Sequence, residues 1–241
     1  MLINIMYHHA NSDACSNPLA MLEAHLAYVS KHFTSVFPGE SLEKPSVCLT
    51  FDDGYSDFYF LIFPLLQRYN LKALLAVPSA YLLETCDLSP KERMGYKHDD
   101  LFANWEKGTF CTVEELKTML QSGLVRIASH GHTHTNLLEA GVDLDQELLG
   151  SKHLLKERLN TSIESFVFPY GKHSPALVAQ AKAHYPYVFR IGNAIHKDFS
   201  GIHGVNYRVD GDNLQAPDAL FSWSRLLKYR LKGWVKGLAR G

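Results

Sequence analysis

Two adjacent carboxylates, Asp52 and Asp53, end the apolar run Val47-Cys-Leu-Thr-Phe51, and Gly54 follows them. A β-branched, aromatic and aliphatic run stopped by a glycine reads as a buried strand, which puts the pair at its C-terminal tip. Neighbouring carboxylates on a buried element repel and resist desolvation, so they persist where a cation, a proton or hydrogen bonds compensate. A metal ion is the compensation that also does chemistry. The plainer alternative is a turn whose aspartates cap the helix after it.

Two further runs end in polar groups. Leu124 to Ala128 leads into Ser129-His-Gly-His-Thr-His134, and Phe166-Val-Phe168 leads into Pro169-Tyr170-Gly171. On a helical turn His130 and His134 share a face, whereas a continued strand would present His130, His132 and His134 together. The tight turn expected after a strand favours the first geometry. Gly131 stands where a His-Glu-x-x-His helix carries its general base, so this is not a zincin motif. Two imidazoles and one carboxylate suit a zinc-like divalent ion with positions left for water. His8 and His9 close an N-terminal strand at Leu2 to Tyr7 and, without a partner, read as loop histidines.

These groups can act together only if the elements carrying them converge. Strand and helix patterns alternate along the chain, with strands at Lys72 to Val77, Tyr187 to Ile191 and Val205 to Val209. Helices are expected over Asn17 to His32, Asp57 to Tyr69, Thr112 to Ser122, Asp143 to Leu159 and Pro175 to His184. Alternation of this kind marks parallel βα units, and in a βα barrel the strand C-termini gather on one face. Pro64 requires the second helix to bend or to start late. Ser79 to Phe110 loses periodicity while keeping Tyr81, Tyr96, Phe102 and Trp105, and it is expected to be a long loop or lid over the site.

The chain has 241 residues, 46% of them hydrophobic and 20% charged, a globular composition with room for one sizeable domain. Its net charge of -1 predicts no general attraction to nucleic acid. Cys15, Cys48, Cys86 and Cys111 form no CxxC pair and read as reduced thiols. The chain opens directly on Leu2-Ile-Asn-Ile-Met-Tyr7 without a leader pattern, and the expected location is cytoplasmic, at the inner face of the membrane if the tail binds lipid. No apolar stretch is long enough to span a bilayer.

Thr50-Phe-Asp-Asp-Gly54, Ser129-His-x-x-x-His134 and Phe168-Pro-Tyr-Gly171 together resemble the first three motifs of the polysaccharide deacetylases, the carbohydrate esterases built on the NodB homology domain. Met6-Tyr-His-His9 and Asn206-Tyr-Arg-Val209 resemble one branch of that family, and the likeness runs over residues 2 to 210. The resemblance implies a single-domain α/β fold, a distorted (β/α) barrel of about seven strands over residues 1–216. It also implies metal-dependent removal of acetyl groups from an N-acetylated sugar or glycan. By resemblance Asp53, His130 and His134 hold the ion, zinc or another divalent metal such as cobalt or nickel, and Asp52 is the general base. A metal acidifies its bound water and a neighbouring carboxylate can take the proton. Pro169, Tyr170 and Gly171 then form the substrate and oxyanion side, with a backbone N–H near Tyr170 as donor.

The chain departs from the family pattern twice. Val167 occupies the place where many members carry an arginine that orients the base, and Arg208 is the expected substitute. The late Leu-x-His motif that supplies a general acid has no clear match, and His9 and His203 are the candidates by position. From Leu220 onward the chain holds six basic residues and no acidic one, interleaved with Trp223, Leu226, Leu227, Leu231, Trp234 and Leu238. Residues 217–241 therefore read as a basic amphipathic helix that either packs on the barrel or lies peripherally on an anionic membrane. The alternatives to N-deacetylation are an O-acetyl esterase, an amidase on a non-sugar amide, or a non-catalytic glycan-binding relative. A two-metal phosphoesterase lacks the extra strand-end ligands.

Overall fold

In the computed structural model, which describes residues 1–11 and 13–238, eight strands form one all-parallel sheet. They are Leu2–Tyr7 (β1), Thr34–Ser35 (β2), Ser46–Phe51 (β3), Ala73–Val77 (β4), Val125–Ser129 (β5), Ser165–Val167 (β6), Tyr187–Ile191 (β7) and Val205–Asp210 (β8). The order runs β1-β8-β7-β6-β5-β4-β3-β2, and β1 also pairs with β3 from Leu2↔Ser46 to Tyr7↔Phe51. That pairing closes seven strands into a barrel. The eighth, β2, bonds only Ser46 and Val47 of β3, along the edge that β4 takes over at Leu49. The fold is thus the α/β barrel of about seven strands expected from the motifs.

Side chains alternate across the barrel wall, as the two-residue period of a strand requires. Ile3, Ile5, Tyr7, Val47, Leu49 and Phe51 join the main core between sheet and helices. Leu2, Cys48, Leu74, Ala76, Ala128, Val167 and Phe189 form a second, smaller cluster that fills the interior. Helix α1 (Leu19–His32) contributes Leu22, Leu26 and Val29 to the main core. Pro64 is accommodated because α2 (Phe63–Tyr69) begins only at Phe63, after a wider turn over Phe58–Ile62. The remaining helices are α3 (Pro90–Arg93), α4 (Val113–Gln121), α5 (Ser151–Leu159), α6 (Pro175–His184) and α7 (Trp223–Leu238). Thr112 and Glu115 form a capping box at the start of α4.

The stretch from Ser79 to Phe110, expected as a long loop or lid without regular structure, is ordered. It folds as short helical turns around Tyr55, Leu101 and Phe110, with Tyr81, Phe102 and Trp105 packed on them. Arg93 holds it in place: its guanidinium donates to Glu115 at 2.6 and 2.9 Å, to Gly108 O at 2.7 Å and to Phe110 O at 3.0 Å. A lost hydrophobic period meant a small aromatic core that helical and strand templates do not describe. At the other end, Leu220, Phe221 and Tyr229 belong to the main core, and Pro217 O accepts a 2.6 Å bond from His25 of α1. No helix among the described residues is long and apolar enough to cross a membrane.

Candidate active site

The C-terminal strand ends open into a cavity of about 410 Å³, lined by Asp52, Asp53, His130, His134, Tyr170, Gly171 and Arg208 together with His8, His98 and Phe102. Asp52 continues the inward alternation of β3, and its N–H donates to Tyr7 O at 2.8 Å. The chain then turns sharply, with left-handed φ of 69° at Asp53 and 71° at Gly54. His134 (φ 55°) and Tyr170 (φ 56°) are also left-handed. Non-glycine residues in that region are strained, and such strain collects where a side chain must be aimed. Gly131 (φ 79°) is required as well, since a Cβ there would lie 2.6 Å from Glu147 Oε2.

Asp53 Oδ1 lies 3.4 Å from His130 Nε2 and 3.1 Å from His134 Nε2. His130 Nδ1 bonds Val167 O at 2.8 Å, which leaves Nε2 as the free nitrogen facing Asp53. The three ligand atoms all lie within 4.8 Å of one another, and Asp53 Oδ1 is buried with no hydrogen-bond donor. An orphaned carboxylate oxygen between two imidazole nitrogens fits a divalent cation. Burial would raise the Asp53 pKa, but the His134 and His130 side chains outweigh it and hold the carboxyl well below the usual range. His132 stands apart, with Nδ1 2.9 Å from Ser79 Oγ.

Arg208, projecting inward from β8, forms a two-pronged pair with Asp52, Nη1–Oδ1 2.6 Å and Nη2–Oδ2 2.8 Å. Its Nη1 also donates to Thr50 Oγ1 at 3.0 Å. Val167, where an arginine was expected from the motif, packs inside the barrel. Burial alone would raise the Asp52 pKa, yet the Arg208 charge first, then His130, the Arg208 hydrogen bonds and His8, keep it below the ordinary carboxylate value.

His9 is not brought to this cavity. It stacks on Tyr55 at 4.0 Å, its Nδ1 lies 3.4 Å from Asp57, and it lines a neighbouring pocket. His203 lies farther off, in the turn before β8, lining a groove against α6. Of the N-terminal pair it is His8 that enters, with Nδ1 2.6 Å from Asp212 Oδ2 and Nε2 4.0 Å from Asp52 Oδ2. Burial pulls its pKa down. The Asp212 hydrogen bond and charge, with Asp52 and Asp53, outweigh that and raise it to about 9. The signal was present in the strand: Met6 faces the cavity, so a two-residue count puts His8 inside and His9 outside. Glu147 was also missed. It accepts from the N–H groups of His132 (2.6 Å) and Thr133 (3.1 Å) and so fixes the turn carrying His130 and His134. Of the third motif, Tyr170 and Gly171 line the cavity, while Pro169 is buried beside Gly131 and shapes the turn.

The polysaccharide deacetylase family model matches residues 39–188, and the chain belongs to that family. It is 26% identical over 190 residues to YxkH of Bacillus subtilis (strain 168), a protein assigned to the polysaccharide deacetylases, across 74% of this chain and 60% of that one. Over 92 residues it is 32% identical to the poly-beta-1,6-N-acetyl-D-glucosamine N-deacetylase of Escherichia coli (strain K12), across 38% of this chain and 12% of that protein. The chain therefore spans less than two thirds of either relative. In fold it is similar to the crystal structure of BC0361, a polysaccharide deacetylase from Bacillus cereus, with a TM-score of 0.73 at 18% identity over 93% of this chain and 68% of that one.

Proposed function

We propose that the protein is a metal-dependent N-deacetylase acting on a glycan that contains N-acetylglucosamine-type units. The observation that carries this reading is the placing of two proton-handling pairs, Asp52–Arg208 and His8–Asp212, side by side next to the Asp53, His130 and His134 cluster. Hydrolysing an amide requires a base for the attacking water and, more than ester hydrolysis does, an acid for the departing nitrogen. A lone base would suit an O-acetyl esterase. A half-buried histidine kept protonated by an aspartate favours the amide. Similarity to a poly-N-acetylglucosamine N-deacetylase supports a glycan substrate, and Tyr170 and Phe102 offer aromatic faces for a sugar ring.

A divalent cation, zinc or a similar ion, would be held by Asp53, His130 and His134 and would supply the acidified water and the polarised acetamide oxygen. Asp52, kept ionised and aimed by Arg208, takes the proton as the water oxygen bonds to the acetyl carbon. The Tyr170 backbone N–H supports the charge that develops on the acetyl oxygen. As the C–N bond breaks, His8 gives its proton to the sugar nitrogen, while Asp212 holds the ring. The products are acetate and a primary amine.

Incubating the zinc-loaded protein with N-acetylglucosamine oligomers and with peptidoglycan fragments should release acetate and new primary amine in equal amounts. Acetate released only from O-acetylated sugars, with no amine formed, would replace this reading by the esterase, and binding without either product would replace it by a glycan-binding role. The His8 assignment has its own test. Activity should fall along an alkaline limb at or below about 9, where His8 loses its proton. Asp212→Asn removes the group that raises it, so the limb should move to lower pH and turnover should drop by roughly tenfold to a hundredfold. An unmoved limb would reassign the acid.

A further inference from the structure

We infer that the outer face of α7 is a docking surface for an anionic lipid bilayer. The inference is independent of the chemistry at the barrel mouth. Among the described residues ten large apolar side chains are exposed, and six of them, Trp223, Leu227, Leu231, Trp234, Val235 and Leu238, belong to this one helix. Trp223 is 78% and Trp234 66% exposed. At 3.6 residues per turn, all but Val235 fall within an arc of about 80°.

The helix is nevertheless docked, through a different face. Tyr229 and Gly233 are buried, and Leu226 packs against the main core. The approach at Gly233 is close: a Cβ there would stand 3.2 Å from Ile195 O. This face is turned about 130° from the middle of the exposed stripe. Packing on the barrel, the plainer purpose of an amphipathic helix, therefore explains Leu226, Tyr229 and Gly233 and leaves the tryptophan and leucine stripe without a partner.

Charge selects the occupant. Arg230 flanks the stripe on one side, Lys228 and Lys232 on the other, and the described helix carries Arg225 and Lys236 but no acidic residue. The tail from Leu220 holds six of the 24 Lys and Arg residues and none of the 25 Asp and Glu, so the rest of the chain carries a net charge of -7. An anionic surface attracts this helix and repels the remainder, which orients the molecule with α7 toward the lipid. Leucine and tryptophan enter the interface while flanking lysines and arginines reach the headgroups. A second copy meeting helix to helix would bring cation against cation. A stripe about 24 Å long and about 10 Å wide also falls well short of the ~800 Å² per partner of an ordinary protein interface.

Co-sedimentation of the whole protein with vesicles tests the inference. Vesicles of equimolar phosphatidylcholine and phosphatidylglycerol should bind at least about tenfold more tightly than phosphatidylcholine alone, and added salt should weaken binding. The double variant Leu231→Glu, Trp234→Glu should lose the binding, and Lys228→Glu, Lys232→Glu should weaken it. The circular dichroism spectrum and thermal midpoint should be unchanged in both, which shows that they fold. No binding to anionic vesicles, or equal binding by the Leu231→Glu, Trp234→Glu protein, overturns the inference. A wild-type dimer that this variant converts to monomer does so too, in favour of a second copy.

Discussion

Replacing Asp52 by Asn should reduce turnover by about a thousandfold or more while leaving metal binding in place. Asn keeps the shape of the side chain and one acceptor for Arg208 but cannot take a proton. The carboxylate is buried and held from two sides by the guanidinium, so no other basic group stands ready at that point. Asp52 belongs to neither group of side chains that converge closely enough to hold an ion, Asp53 with His130 and His134 or His8 with Cys15 and Asp212. Metal content measured after dialysis should therefore match wild type, whereas His134→Ala should lose the ion and His132→Ala, directed at Ser79, should keep it. Retained turnover in Asp52→Asn would move the base elsewhere. Loss of metal in the same variant would make Asp52 a ligand and undo the division between the two aspartates.

The barrel was legible in the chain because parallel strands buried on both faces write themselves as short apolar runs. The limits of Leu2–Tyr7 and Tyr187–Ile191 coincide with the expected ones. The three motifs were legible for a related reason: each interrupts such a run with polar groups at a strand end. What stayed hidden depends on contacts between distant segments. His8 and Asp212 lie 204 residues apart, and one loop aspartate among 25 acidic residues carries no local mark. Glu147 sits in a charged helical stretch that reads as a solvated face, and only the fold turns it toward the backbone of His132 and Thr133. The Ser79 to Phe110 segment borders the cavity through His98 and Phe102, as expected, but its internal order was hidden because it comes from one buried arginine and an aromatic cluster. Arg208 is the intermediate case. The valine at position 167 signalled that a cation had to come from elsewhere, and the register Asn4↔Arg208 shows why β8 can supply it: β8 pairs with β1, which pairs with β3, so Arg208 stands two strands from Asp52.

Arg208→Met should damage both catalysis and stability. Arg208 is only 1% exposed, and its partner is equally enclosed. Breaking a buried pair leaves an uncompensated charge and costs about 3–5 kcal/mol, and methionine fills the volume without supplying the missing cation. The pH dependence separates this from a simple packing loss. In the wild type Asp52 has a folded pKa below its unfolded value of about 3.9. Its contribution to stability is therefore present above that unfolded value and lost as pH falls through the folded one. Without Arg208, burial, the largest influence on this carboxyl, is opposed only by the charges of His130 and His8 and should carry the folded pKa above the unfolded value. The sign reverses: the penalty is full above the raised pKa and relieved as acid protonates Asp52. Denaturant titrations should show the deficit of Arg208→Met shrinking between neutral and mildly acidic pH. The acid limb of its residual activity should move to higher pH, because the base is now neutralised sooner, and turnover at neutral pH should fall by roughly tenfold to a thousandfold. Arg208→Lys, which restores a charge but not the two-pronged geometry, should recover most of the stability and less of the turnover. A deficit that does not change with pH would mean that Arg208 acts only by filling space, and the orientation of Asp52 would then have to come from the strand end alone, where its N–H bonds Tyr7 O.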